Sequence, residues 1–98
     1  MPTKSAHELK NFEADRQTRA DAVFAEINFP SSVEEHDGWE SFSGGPTPSK
    51  RFNTWSKVVY LLNENGGDTI KATFSVVFRP NSIVPAEAWL DDKEMVMP

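Results

Sequence analysis

Residues 69–79 alternate apolar and polar side chains almost without interruption. The even positions are all apolar: Ile70, Ala72, Phe74, Val76 and Phe78. A period of two is typical of a β-strand that has one buried face and one solvated face. This segment therefore predicts a long strand, and another part of the chain must cover its apolar face.

A second β-rich run, residues 52–62, comes shortly before the first. The six residues between the two runs, 63–68, read Asn-Glu-Asn-Gly-Gly-Asp, which is a composition typical of turns. The two runs are therefore expected to form an antiparallel hairpin. We expect a positive φ at Gly66 or Gly67, because connections of this kind usually need one.

The N-terminal part of the chain predicts a helix. Ser5 and Glu8 match the capping-box pattern, and no glycine or proline occurs between positions 3 and 29. Apolar residues recur at helical spacing through this stretch. We expect a helix over residues 6–28, ended by Pro30, whose ring disfavours a helical residue before it.

The remaining segments carry weaker signals. Residues 38–42 and 82–84 are candidate short strands, residues 43–49 form a breaker-rich connection, and Pro85 suits the start of a short helix over 86–91. Residues 92–98 are expected to fray. The expected fold is a single α+β domain over 1–98, with one long N-terminal helix packed on a three- or four-stranded antiparallel meander, and a short C-terminal helix.

Composition excludes several classes of protein. The chain has 98 residues and no cysteine, which removes disulfides, thiolate nucleophiles and cysteine-ligated zinc. It has no long apolar run of the kind that spans a membrane, and the first residues lack the apolar stretch of a signal peptide. Cytoplasmic residence, with no membrane partner, is the expectation.

The formal charge of −5 is unevenly distributed. Residues 1–49 carry four Lys/Arg against nine Asp/Glu, residues 50–79 carry five against two, and residues 80–98 carry one against four. A basic hairpin thus lies between acidic segments. The net charge argues against general affinity for nucleic acid, while the hairpin leaves room for a small basic patch.

No motif points to catalysis, a metal or a cofactor. His36 and Asp37 are adjacent on a polar segment, where neighbouring side chains point apart, and no second histidine lies at ligand spacing. Neither a nucleophile elbow nor a phosphate-binding loop occurs. We expect no cofactor and no metal, and a protein that is not an enzyme.

The outer face of the hairpin is the candidate site. In the strand 52–62, the side that carries Phe52, Val58, Tyr60 and Leu62 is the more apolar one and is expected to face the core, so the residues between them are expected to face outward. The expected partner-binding residues are Trp55, Lys57, Val59, Lys71, Val77 and Arg79. Trp89, on the expected C-terminal helix, is expected to pack in the core.

These residues predict an interaction module that docks on a larger protein or associates with itself. A small accessory subunit, or an inhibitor encoded by a phage or a mobile element, fits this description by size and charge. The alternative is a binder of nucleic acid or another anionic ligand that uses Trp55, Lys57, Lys71 and Arg79 on a basic, aromatic sheet face.

Overall fold

The computed structural model describes residues 6–35, 38–42, 53–63 and 65–98 of the chain. Within these ranges a helix, α1, is followed by six strands. Their bounds are α1 (Ala6–Glu26), β1 (Val33–Glu35), β2 (Glu40–Phe42), β3 (Thr54–Leu62), β4 (Thr69–Phe78), β5 (Pro85–Leu90) and β6 (Lys93–Met95). The predicted α+β class and the antiparallel sheet are confirmed, and the sheet has more strands than expected.

The sheet is built around the β3–β4 hairpin. The strand order is β1-β3-β4-β5-β6, and β2 also pairs with β3. Residues 59–61 of β3 pair with β1, and residues 54–56 pair with β2, so these two short strands lie one after the other along the same edge. β3 and β4 pair over nine residues, 54–62 against 69–77, which is the longest pairing among the described strands.

The connection between β3 and β4 is a closed turn. The Asn63 N–H donates to the carbonyl of Asp68 at 2.7 Å, and the Gly67 N–H donates to the carbonyl of Asn63 at 2.8 Å. Gly67 has a φ of 75°, in the left-handed region that glycine adopts without steric cost. The positive φ expected at one of the two glycines is therefore confirmed.

Helix α1 covers the apolar face of β4, as the alternation predicts. Phe74 is fully buried, and the rings of Phe24 and Phe29 each lie 5.4 Å from it, centroid to centroid. Ala20 and Val23 of the helix belong to the same buried cluster. Ile70 shares the parity of this face, but it lies near the turn and remains 55% exposed.

The C-terminal helix expected over 86–91 is wrong, because this segment is strand β5. Pro85 begins the strand, and Phe74 to Phe78 of β4 pair with it. The free edge of β4 offers unsatisfied hydrogen-bonding groups along its length, and pairing outweighs the helical preference of alanine, leucine and glutamate. Residues 82–84, a candidate strand, form an irregular segment before β5.

The expected fraying of 92–98 is also wrong for residues 93–95. They form β6, in which Met95 pairs with Ala88 of β5, and Met97 packs against the core. At the other edge, β2 confirms a strand at 40–42, and β1 is an additional short strand. The Ser5 cap and the 43–49 connection lie outside the described residues.

Candidate interaction surface

The register of the hairpin decides which side chains of β3 face the helix. Leu62 lies opposite Thr69, and this register continues along the strand, so even residues of β3 oppose odd residues of β4. Residues directly opposite in an antiparallel pair project to the same face. The odd-numbered residues of β3 therefore lie on the helix-covered face with Phe74. The prediction that they face outward was wrong.

Three of the predicted partner-binding residues are consequently buried. Trp55, Lys57 and Val59 are 7%, 8% and 0% exposed. Trp55 lies opposite Val76, and Val59 lies opposite Ala72, both on the helix side of the sheet. The error arose because each face of β3 carries several large apolar side chains, so apolar content did not distinguish the two faces.

Lys57 is an interior cation whose charge is compensated locally. Its Nζ lies 2.6 Å from Oε1 of Glu35 on β1. The same Nζ lies 5.1 Å from the ring centroid of Phe24 and 5.0 Å from that of Trp39, within the range of cation–π attraction. The Trp39 indole N–H donates to Oδ1 of Asp21 on the helix. An aliphatic stem in the core and a paired charge at its edge explain why a lysine faces inward.

Arg16 is a second interior cation, 7% exposed. It donates to the carbonyls of Ser82 at 2.8 Å and Arg79 at 3.1 Å, and to Oδ1 of Asn53 at 3.2 Å. Burial lowers the pKa of the Arg16 guanidinium, and the charge of nearby Glu13 opposes this shift. Arg16 thus fastens the loop after β4 to the helix.

The outer face of the sheet, opposite the helix, has an accessible part and a buried part. The accessible part consists of partly or fully exposed side chains, Val58, Tyr60, Leu62, Thr69, Lys71, Thr73 and Trp89. The buried part is Thr54, Ser75 and Val77, at 1%, 4% and 6% exposure. Lys71 is therefore exposed on the outer face as predicted. Val77 lies on that face but is buried.

The aromatic residue of β5 on this face is Trp89. It lies opposite Ser75, whose hydroxyl is 2.9 Å from that of Ser56. Trp89 was expected in the core and Trp55 outside, so the two tryptophans have exchanged roles. A period-two reading of 86–90, with Ala88 and Leu90 inward and Glu87 and Trp89 outward, would have identified it. From strand geometry, Trp89 and Tyr60 are about 16 Å apart.

The predicted basic patch is not assembled. Lys57 faces inward. Lys71 is in β4 and Arg79 follows the end of that strand, so the two are about 26 Å apart at the usual rise per residue. Among side chains that the structure describes, eleven carboxylates and four cations are exposed. The described surface is therefore acidic, and Arg16 and Lys57 do not add positive charge to it because they are interior.

Two acidic side chains near the sheet have structural contacts. Glu35 pairs with Lys57, and Oδ1 of Asp91 accepts the Thr73 backbone N–H at 2.9 Å. In the described part of the chain, no group of three or more His, Asp or Glu is placed to hold a metal ion, and His36 and Asp37 lie outside it.

No described helix is long and apolar enough to cross a membrane. Comparison with family models, with curated proteins and with solved structures finds no match to this chain.

Proposed function

We propose that this chain is a non-enzymatic protein–protein interaction module that docks on a larger protein through the outer face of its sheet. One observation supports this most strongly. Helix α1 covers a single face of the sheet, and the other face presents Tyr60, Leu62 and Trp89 partly or fully exposed. Aromatic side chains with apolar neighbours on an open surface are the usual anchors of partner binding.

The surface charge favours a basic partner. Exposed carboxylates outnumber exposed cations among the described side chains, so long-range attraction would speed encounter with a positively charged surface. An accessory subunit, or an inhibitor encoded by a phage or a mobile element and acting in the cytoplasm, fits a small acidic module of this kind. Self-association is the second way in which the same face would be used.

Nucleic-acid or anionic-ligand binding remains the alternative, and the positions of the cations support it less than the sequence does. The cations on which it depends are dispersed, and Lys57 is not accessible. A single-strand binder with three or four engaged cations would show a slope of about −2 to −3 in log K against log salt. Fluorescence anisotropy with a short oligonucleotide measures that slope.

Affinity capture tests the docking face. Leu62→Asp places a charge on the outer face, at a side chain that is 37% exposed. The matched control is Val84→Asp, which changes an aliphatic residue of 52% exposure in the loop before β5, at the other end of the hairpin. We expect Leu62→Asp to lose the captured protein and Val84→Asp to retain it, with both variants folded by circular dichroism. Equal capture by the two variants would contradict the proposal.

A further inference from the structure

We infer that Trp89 and Glu94 form a receptor site for an arginine side chain of the partner protein. This inference rests on the proposed function, and it names the chemistry that the outer face recognises. The pairing of β5 with β6 places Glu94 directly opposite Trp89. Opposed residues in an antiparallel pair have Cβ atoms about 5 Å apart on one face, so the two side chains project side by side from the outer face.

Both side chains keep accessible surface. Trp89 is partly exposed, although its indole Nε1 is buried and has no hydrogen-bond partner among the described residues, so a ligand would meet the exposed part of the ring. No aromatic or cationic side chain of the described residues stacks on that ring. Glu94 is exposed and makes no ion pair within the described residues. An indole face attracts a cation within about 6 Å of the ring centroid, and a carboxylate binds guanidinium through two parallel hydrogen bonds.

Arginine fits this pair better than lysine does. Its guanidinium is planar, so it stacks on an aromatic face while its edge donates to a carboxylate, whereas an ammonium is a compact and strongly hydrated charge. Glu87, which shares the outer face two residues before Trp89, adds a second negative charge on that side. The site therefore combines stacking with charge complementarity.

The interior of the protein contains the same recognition chemistry. The Lys57 Nζ lies about 5 Å from the ring centroids of Phe24 and Trp39 and 2.6 Å from Oε1 of Glu35. There the cation, the aromatic faces and the carboxylate all belong to this chain. At Trp89 and Glu94 the aromatic and the carboxylate are present, and the partner would supply the cation.

The negative charges of this surface disfavour two other ligands, a nucleic acid and a second copy of this chain. A phosphate backbone would meet Glu94 and Glu87, whose charges repel it. A second copy would bring another net charge of −5, which opposes association at long range. Both occupants are outcomes of the experiment below.

The experiment is an NMR titration with a capped Gly-Arg-Gly peptide at low salt. The chain has three tryptophans, so three indole N–H resonances are expected, and Trp89→Phe assigns one of them. The matched probe replaces arginine with citrulline, which keeps the shape of the side chain and removes its charge. We expect saturable shifts at the Trp89 indole and the Glu94 amide, with a dissociation constant on the order of 10 mM.

Two variants locate the binding. Glu94→Gln should raise the dissociation constant of the arginine peptide about threefold, as expected for the loss of one exposed ion pair. Glu26→Gln on the helix should leave the dissociation constant unchanged. The inference is overturned if citrulline shifts the same resonances equally, if shifts spread over all the acidic residues, or if a short oligonucleotide competes. Concentration-dependent shifts without peptide, matched by sedimentation of a dimer, would also overturn it in favour of a second copy.

The peptide titration and the capture experiment can fail independently of each other. If the peptide fails to bind at Trp89 while Leu62→Asp still abolishes capture, the docking face stands and the arginine site is wrong. If the peptide binds at Trp89 while Leu62→Asp has no effect on capture, the arginine site exists and the proposed docking face is wrong.

Discussion

Replacing Trp55 by alanine should remove a large part of the stability of this protein. Trp55 is 7% exposed and lies in the cluster that contains Phe74, Val59 and Val76. A tryptophan buries about 200 Å², which at about 25 cal/mol per Å² corresponds to about 5 kcal/mol. Residual compactness of the denatured chain lowers this by about 10–40%. The expected loss is therefore about 3–5 kcal/mol, in the range found for large aromatic truncations.

Urea denaturation followed by circular dichroism measures this loss. Trp89→Ala is the matched control, because the chemical change is the same at a residue that is only partly buried on the outer face. We expect it to cost less than Trp55→Ala, because part of the Trp89 side chain remains exposed in the folded protein. If Trp89→Ala destabilised the protein as much as Trp55→Ala, the inward assignment of the odd residues of β3 would be refuted.

Three further substitutions test other parts of the structure by the same denaturation assay. Gly67→Ala should cost about 1 kcal/mol because Gly67 has a φ of 75°, and tolerance there would show that the turn is open. Lys57→Met should keep the free energy of unfolding within about 1 kcal/mol of the wild-type value, because an apolar side chain replaces a buried, paired cation. A larger loss of stability would show that the ion pair itself is needed. Arg16→Met should cost about 2 kcal/mol or more, because the carbonyls it binds lose their donor, whereas exposed Arg19→Met should cost almost nothing.

The helix and the hairpin could be predicted because their signals are local. The even positions of β4 are uniformly apolar, and the N-terminal stretch has helical spacing without a breaker, so each element is specified by its own residues. The observed helix ends at Glu26, two residues before the predicted end.

The face of β3 could not be predicted from composition. Trp55, Val59 and Leu61 on one side balance Val58, Tyr60 and Leu62 on the other, and a one-residue change of register exchanges the faces. The inward position of Lys57 depends on Glu35 and Trp39, which are distant in sequence.

The candidate site was missed for a related reason. Residues 86–91 include alanine, glutamate and leucine, which favour a helix, and the pairing with β4 that makes them a strand is a tertiary effect. Once the segment is a strand, alternation places Trp89 outside and Ala88 inside. Trp89 could therefore be placed on the outer face only by recognising residues 85–90 as a strand, and no motif would have indicated it.

Acrylamide quenching of single-tryptophan variants tests the exchange of Trp55 and Trp89 most directly. One variant keeps only Trp55, with Trp39→Phe and Trp89→Phe; the other keeps only Trp89, with Trp39→Phe and Trp55→Phe. We expect Trp55 fluorescence to be blue-shifted and resistant to quenching, and Trp89 fluorescence to be quenched more strongly than that of Trp55, because Trp55 is 7% exposed and Trp89 is partly exposed on the face that the helix leaves uncovered. The reverse order of quenching would contradict the account, since the outer face would then present Trp55, and Trp89 would be part of the core.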